Sequence, residues 1–256
     1  MQLNTDLHQR VVIDSHAVAW QPSPLPGVER RPLERLAAES GRTTSIVRYA
    51  AGSSFKAHLH PLGEEILVLD GVFADEHGQY PAGTWLRNPP GSQHAPSSPD
   101  GCLLFVKLCH LTADDEIAGR IDTRSAQWQP GLVEGLSVLP LDSVGTTHTA
   151  LVRWAPGTQF KAHSHWGGRG NSGAGWHFSG RAGRLPGRHL AAQPPRLQSS
   201  AVLDRGLFDL REGWPFARVG LLQTHAVHLV ERDQLVPRQL QGTLGQRTHA
   251  VVDGLL

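Results

Sequence analysis

The first half of the chain alternates between short apolar segments and turns that are rich in glycine and proline. Several segments alternate apolar and polar residues with the period of two that is typical of β-strands. The pattern predicts strands at 11–13, 45–49, 55–60, 65–70, 71–74, 83–87 and 102–107. Residues 28–39 also have apolar residues at helical spacing, but their surroundings favour a strand. Closely spaced strands with such turns predict an all-β jelly-roll barrel.

The second half of the chain begins by repeating the first half at an offset of 105 residues. The segment 150–157 (ALVRWAPG) matches 45–52 (SIVRYAAG), and 160–165 (FKAHSH) matches 55–60 (FKAHLH). A repeat of about a hundred residues has the length of a whole small domain. The sequence therefore predicts two barrels in tandem.

Composition and charge narrow the classes of partner. The 256 residues suffice for one large domain or two of ordinary size, and the net charge is only +1. No stripe of lysine and arginine is visible, so we expect neither a nucleic acid nor an anionic membrane as partner. No apolar run has the length of a membrane span, and the first residues lack the apolar core of a signal peptide. Two cysteines, Cys102 and Cys109, are too few for a disulfide framework, so we expect free thiols in a cytoplasmic protein.

The candidate chemistry lies around two histidines, His58 and His60. Because side chains alternate faces along a strand, both imidazoles point the same way. Glu64 follows after a short turn, and His94 is a fourth candidate further along the chain. Imidazoles and a carboxylate on one face are typical ligands of a divalent metal.

The spacing of these residues, with the glycines and the proline around them, resembles the two-part signature of the cupin superfamily. The pattern is Gly52-x5-His58-x-His60-x3-Glu64-x6-Gly71, followed by Gly83-x5-Pro89-x-Gly91-x2-His94. More closely, the chain resembles the ChrR-type cupin domains, over residues 15–112 and again over 123–168. The resemblance implies a bicupin whose first barrel binds metal through His58, His60, Glu64 and His94. It also implies that Glu64, rather than Glu65, is the acidic ligand.

The resemblance implies two classes of function. One is a regulatory metal-binding module in stress response, related to anti-sigma factors; the other is an iron-dependent dioxygenase that acts on a small organic substrate. The ligand set suits Zn²⁺, Fe²⁺, Mn²⁺, Co²⁺ or Ni²⁺, and the order of affinities alone does not choose among them; our first expectation is Zn²⁺. The family's amino-terminal His-x3-Cys-x2-Cys zinc motif does not precede Trp20, which argues against direct binding of a sigma factor. Pairing through sheet edges, common among cupins, would give a homodimer.

The repeat stops at Gly168. Where residues 64–69 should recur, residues 169–174 read RGNSGA, which by composition resembles a flexible linker. The alternative is a shift of the reading frame by one base. The second and third bases of each present codon would then have been the first and second bases of a codon for the residue expected from the first repeat. Asn171 written AAT yields the AT of an isoleucine codon, as at Ile66, and Gln193 written CAA yields the AA of asparagine, as at Asn88. The agreement continues ungapped, with Trp214 as a misfit, so we expect translation out of frame from about residue 169 and beyond the original terminus from 220.

These observations predict three regions and one intact metal site. The regions are an intact cupin domain at 1–114, the start of a second, truncated repeat at 123–168, and a poorly ordered tail at 169–256. The second repeat keeps His163 and His165. It has Arg169 and Ser199 where the first repeat has Glu64 and His94, so we expect a degenerate second site.

Overall fold

All regular elements in the described part of the chain are β-strands, as the alternation predicted. The computed structural model describes residues 2–6, 11–38, 40–113, 115–144, 147–155, 158–159, 163–164, 169–173, 178–180, 183–185, 189–193, 198–199, 201–203 and 226–230. No helix among these residues is long and apolar enough to cross a membrane. The alternative of a helix at 28–39 is excluded, because this segment contributes a strand over residues 28–35.

The strands of the first half are β1 Val11–Asp14, β2 Gln21–Pro22, β3 Val28–Arg35, β4 Thr43–Tyr49, β5 Ser53–Ser54, β6 His58–His60, β7 Glu64–Asp75, β8 Gly78–Pro81, β9 Thr84–Asn88, β10 Ser92–His94, β11 Ser97–Ser98, β12 Cys102–Leu108 and β13 Gly119–Asp122. Those of the second half are β14 Gln129–Pro130, β15 Leu136–Val144, β16 Thr147–Trp154, β17 His163–Ser164, β18 Arg169–Gly173, β19 Phe178–Gly180, β20 Gly183–Leu185, β21 His189–Gln193, β22 Gln198–Ser199, β23 Ala201–Leu203 and β24 Ala226–Val230.

The chain divides into two compact units that do not follow the sequence repeat strictly. Unit 1 consists of residues 1–5 and 15–126, and unit 2 of residues 6–14 and 127–256. In unit 1 the main sheet has the order β13-β9-β7-β12-β4-β3-β2, and β6 pairs with β10 in a separate two-stranded sheet. The leading strand β1 lies in unit 2, where it pairs with β21, whereas β13 pairs with β9 in unit 1. Each unit therefore has an edge strand from a segment that precedes the other unit's repeat. β1 precedes the first repeat but lies in unit 2, and β13 precedes the second repeat but lies in unit 1.

The interior of unit 1 follows from the alternation of side chains along its strands. Ile66 and Val68 of β7 pack inward with Leu86 of β9 and Leu104 of β12, and all four are almost completely buried. Glu64 has the same parity as Ile66, and it lies opposite Asn88 at the end of β9. A carboxylate and an amide are thus placed at the polar end of an otherwise apolar interior.

A β-bulge in β7 changes this parity halfway along the strand. The pairing of β7 with β12 shifts by one residue, so that Leu69 has no partner of its own. Beyond the bulge the odd-numbered residues point inward, which buries Phe73 and brings Asp75 to the interior side. Gly71 follows the bulge with a φ of 71°, and a Cβ there would lie 2.2 Å from the carbonyl oxygen of Gly101. This bend therefore requires glycine.

The described backbone of unit 2 repeats the register of unit 1 at the same offset. Arg169 lies opposite Gln193 as Glu64 lies opposite Asn88. The strand between β16 and β18 is β24, whereas the corresponding place between β4 and β7 in unit 1 belongs to β12. The described part of the predicted tail, residues 169–256, contributes strands β18 to β24.

Candidate metal centre

Three imidazoles converge at one end of the unit 1 interior. His58 and His60 lie on the same face of β6, and His94 of β10 pairs directly with His58 in the antiparallel register. One ring nitrogen from each of His58, His60 and His94 lies within 4.8 Å of the others. His60 and His94 are buried, whereas His58 is half-buried and borders the open side of the cluster.

Glu64 closes the cluster from the first residue of β7. Its Oε2 lies 3.6 Å from Nε2 of His60 and 3.4 Å from Nε2 of His94, and the two Nε2 atoms are 2.9 Å apart. The four residues singled out in the sequence are therefore brought together. Glu65 does not face this cluster, because it is the next residue of the same strand and pairs with Arg87 and Lys107.

The electrostatics of Glu64 favour a cation at this point. Burial raises the pKa of Glu64, although His94 and a hydrogen bond from Asn88 act in the opposite direction. The amide nitrogen Nδ2 of Asn88 donates this bond to Oε2 over 2.8 Å. Burial also lowers the pKa of His60 and His94, so these imidazoles do not supply the buried carboxylate with a full compensating charge, and a divalent ion would.

Two of the imidazoles have partners that direct Nε2 toward the cluster. Nδ1 of His58 lies 3.1 Å from the carbonyl oxygen of Lys56, and Nδ1 of His94 lies 3.4 Å from Oδ2 of Asp75. Burial opposes ionisation of Asp75, but hydrogen bonds from the His77 amide, the Tyr80 hydroxyl and His94 outweigh it and lower its pKa. A carboxylate that accepts a hydrogen bond from Nδ1–H of His94 leaves the Nε2 lone pair available to a metal.

The distances among the donor atoms fit a single divalent ion. Adjacent ligands about 2.1 Å from an ion are roughly 3.0 Å apart in octahedral geometry and roughly 3.4 Å apart in tetrahedral geometry. The separations measured among His60, Glu64 and His94 are 2.9–3.6 Å. The donor atoms of His60, Glu64 and His94 are therefore spaced as the ligands of one metal ion would be.

The site's own histidines predict how the metal-free protein responds to acid. Burial lowers the pKa of His60 from 6.5 to about 4. Between these values the unfolded chain binds a proton that the folded chain does not, so we expect His60 to lower the free energy of unfolding as the pH falls from 6.5 toward 4. Glu64, whose pKa is raised, acts in the opposite sense. Urea unfolding of chelator-treated protein at several pH values, compared with His60→Asn, isolates this contribution. An equal pH dependence in both proteins would contradict it.

The second cluster of histidines is only partly described. His163 lies in β17 opposite Ser199 of β22, the register of His58 and His94 at the same offset. His165 lies outside the described residues. Arg169, in β18, takes the backbone position that Glu64 has in unit 1. The weakness of the second site remains a prediction from these residue types.

Sequence reasoning missed four residues that surround the candidate ligands: Asp75, Tyr80, Asn88 and Arg120. Asn88 is the one that the sequence could most easily have indicated, because the register of a hairpin places it opposite Glu64. Asp75 was hidden by the bulge, and Arg120 reaches the site from an edge strand distant in sequence. His77, in the turn that follows Asp75, is highly exposed.

Comparisons with known proteins place this geometry in a family. The model of the ChrR cupin-like domain matches residues 8–112 and 118–171. No curated protein matches the chain.

Solved structures share the fold at low sequence identity. A candidate dioxygenase of Nostoc punctiforme has a TM-score of 0.67 at 14% identity, with 92% of this chain and 87% of that chain covered. The bacterial pirin YhhW of Escherichia coli in complex with nickel(II) has a TM-score of 0.60 at 13% identity, with coverage of 88% and 100%. An oxalate decarboxylase–formate complex of Lactobacillus farciminis has a TM-score of 0.58 at 11% identity, with coverage of 87% and 86%.

The family match spans more than half of the chain, and all three solved structures have the same fold. This chain belongs to the ChrR cupin-like domain family.

Proposed function

We propose that this protein is a divalent-metal-binding module of the ChrR type whose first barrel holds one ion. The observation that carries the proposal is the convergence of three imidazoles on the buried carboxylate of Glu64. His58, His60, Glu64 and His94 are the proposed ligands. The metal would act as a Lewis acid or as a structural ion, according to whether a coordination position stays open.

Zinc is our first choice of ion, because three imidazoles and one carboxylate satisfy its usual coordination number of four. The same donors also suit Fe²⁺, Mn²⁺, Co²⁺ and Ni²⁺, which accept further ligands. The pirin of similar fold was solved with nickel(II), but its identity to this chain is only 13%. Elemental analysis of the purified full chain decides the metal.

A regulatory role in stress response is the function that we propose for this module. Its support is the match to the ChrR cupin-like family. A sigma factor is not our proposed direct partner. We propose a cytoplasmic protein that pairs with a second copy.

An iron-dependent dioxygenase is the second candidate. The observation that favours it is the half-buried state of His58, which leaves one side of the cluster open while Glu64, His60 and His94 are buried. A small organic molecule or O₂ would enter from this side. A neighbour of similar fold is described as a candidate dioxygenase, and that likeness concerns the fold alone.

One pair of measurements separates the two functions. Metal content is measured on the purified chain, and oxygen consumption is measured on iron-loaded protein with a panel of small thiols, diols and diketones. One zinc per chain without oxygen consumption supports the module. Bound iron with substrate-dependent oxygen consumption supports the enzyme. Absence of any stoichiometric metal would overturn both.

A further inference from the structure

We propose that Arg120 is a positioning residue of the metal centre, supplied by the strand that leads into the second repeat. The inference rests on the proposed metal site and names a residue that the ligand motif does not contain. Arg120 lies in β13, at the edge of the unit 1 sheet, next to β9. Its guanidinium reaches the outer partners of two proposed ligands.

The first connection runs through Asn88 to Glu64. A terminal nitrogen of Arg120 donates to Oδ1 of Asn88 over 2.6 Å, and Nδ2 of Asn88 donates to Oε2 of Glu64 over 2.8 Å. Arginine has donors only, so it fixes Oδ1 of Asn88 on its own side and turns the amide nitrogen toward the carboxylate. The reversed amide would bring an oxygen against Glu64.

The second connection runs past Tyr80 to His94. The Arg120 guanidinium lies 5.6 Å from the centroid of the Tyr80 ring. The Tyr80 hydroxyl donates to Oδ1 of Asp75 over 2.9 Å, and Oδ2 of the same carboxylate lies 3.4 Å from Nδ1 of His94. One side chain therefore borders the supports of both the acidic ligand and an imidazole ligand.

The backbone holds this guanidinium in place from two sides. The other terminal nitrogen of Arg120 donates to the carbonyl oxygen of Arg87 over 2.8 Å and to that of Gly119 over 2.7 Å. A planar fork of donors can satisfy both carbonyls and Asn88 at once, whereas a lysine ammonium is a single point charge. This set of three hydrogen bonds is therefore specific to a guanidinium, and a lysine would not reproduce it.

The sequence repeat supplies an independent comparison. Arg120 pairs with Leu86, and the equivalent pair in unit 2 is Val12 with Ala191. Unit 2 thus has Val12 where unit 1 has Arg120. Unit 2 is also the unit that has Arg169 and Ser199 in place of two of the proposed ligands. By sequence Arg120 belongs to the second matched segment, residues 118–171, but by contacts it belongs to unit 1. The strand that leads into the second repeat, β13, therefore contributes to the site of unit 1.

The test uses the full chain loaded with Co²⁺ as a spectroscopic probe. We expect Arg120→Gln to bind one Co²⁺ per chain with an affinity about 10- to 100-fold lower, the range found for partners of metal ligands. We also expect a changed visible absorption spectrum, because the orientation of Glu64 is released. Arg120→Lys is expected to lose affinity as well. Arg124→Gln, which removes an exposed arginine of the following turn, is the matched control and should bind like the parent chain.

A double-variant cycle separates positioning from general stability. If Arg120 acts through Asn88, then Arg120→Gln costs less affinity in an Asn88→Ala background than in the parent chain. Unfolding midpoints of the metal-free variants check that each of them folds. Unchanged affinity and spectrum in Arg120→Gln, or full additivity in the cycle, would overturn the proposal while the metal site stands. A parent chain that binds no Co²⁺ would instead refute the metal site itself.

Discussion

Replacing His60 by alanine is expected to weaken divalent-metal binding by more than about 100-fold, beyond the usual effect of residues outside the ligand set. Nε2 of His60 is one of the donor atoms in the cluster, and the imidazole is buried, so no other side chain can take its place. The loss would leave His58, His94 and Glu64, an open site with fewer donors. Competition titration with a chromophoric chelator measures the affinity.

The matched control is the equivalent histidine of the second repeat. His163 pairs with Ser199 rather than with a third histidine, and Arg169 takes the backbone position of the acidic ligand. His163→Ala should therefore leave the affinity for one ion per chain unchanged. If both variants lost metal equally, the ranking of the two sites would be wrong. If neither did, the ion would lie elsewhere.

Replacing Asp115 by alanine is expected to lower the free energy of unfolding by about 3–5 kcal/mol, the range for breaking a buried ion pair. Oδ1 of Asp115 lies 2.7 Å from a terminal nitrogen of Arg87, and the two side chains are only 5% and 1% exposed. Oδ2 of the same carboxylate accepts a hydrogen bond from the Thr112 amide over 2.7 Å. The variant leaves the buried guanidinium without this carboxylate and the turn before β13 without its acceptor.

Urea denaturation of the metal-free chain tests this value against a neighbouring acidic residue. Glu116 is exposed, so Glu116→Ala should change the free energy of unfolding by less than about 0.5 kcal/mol. Replacing both partners, as Arg87→Met with Asp115→Leu, should recover much of the loss if the uncompensated charge is its cause. Equal stability of Asp115→Ala and Glu116→Ala would contradict the account.

Out-of-frame translation of the second repeat remains a prediction. The family match ends at residue 171, close to the Gly168 at which the repeat stops. An ungapped repeat at the offset of 105 would put residues 207–212 at the place of β12, whereas the strand found between β16 and β18 is β24. The apolar run at 226–230 suits a central strand better than the charged sequence at 207–212. The nucleotide sequence around codon 168 tests the prediction directly.

The proposed ligands could be predicted from the sequence because their spacing along the chain is a local property. His58 and His60 are separated by one residue, so any strand places them on one face, and Glu64 opens the next strand at the ligand spacing of the family. His94 required only the second hairpin of the same motif. The approach of His60 to His94, whose Nε2 atoms are 2.9 Å apart, follows from the antiparallel pairing of β6 with β10.

The sequence alone thus determined the all-β class, the repeat and the candidate ligands, because alternation and spacing are local properties of the chain. Only the tertiary structure decided what surrounds those ligands. Asp75 reaches His94 because a bulge at Leu69 reverses the parity of β7, and alternation read from the sequence gives no sign of that reversal. Arg120 reaches Asn88 because β13 pairs with a strand of the first repeat, and strand partners this distant in sequence are set by the packing of the whole sheet.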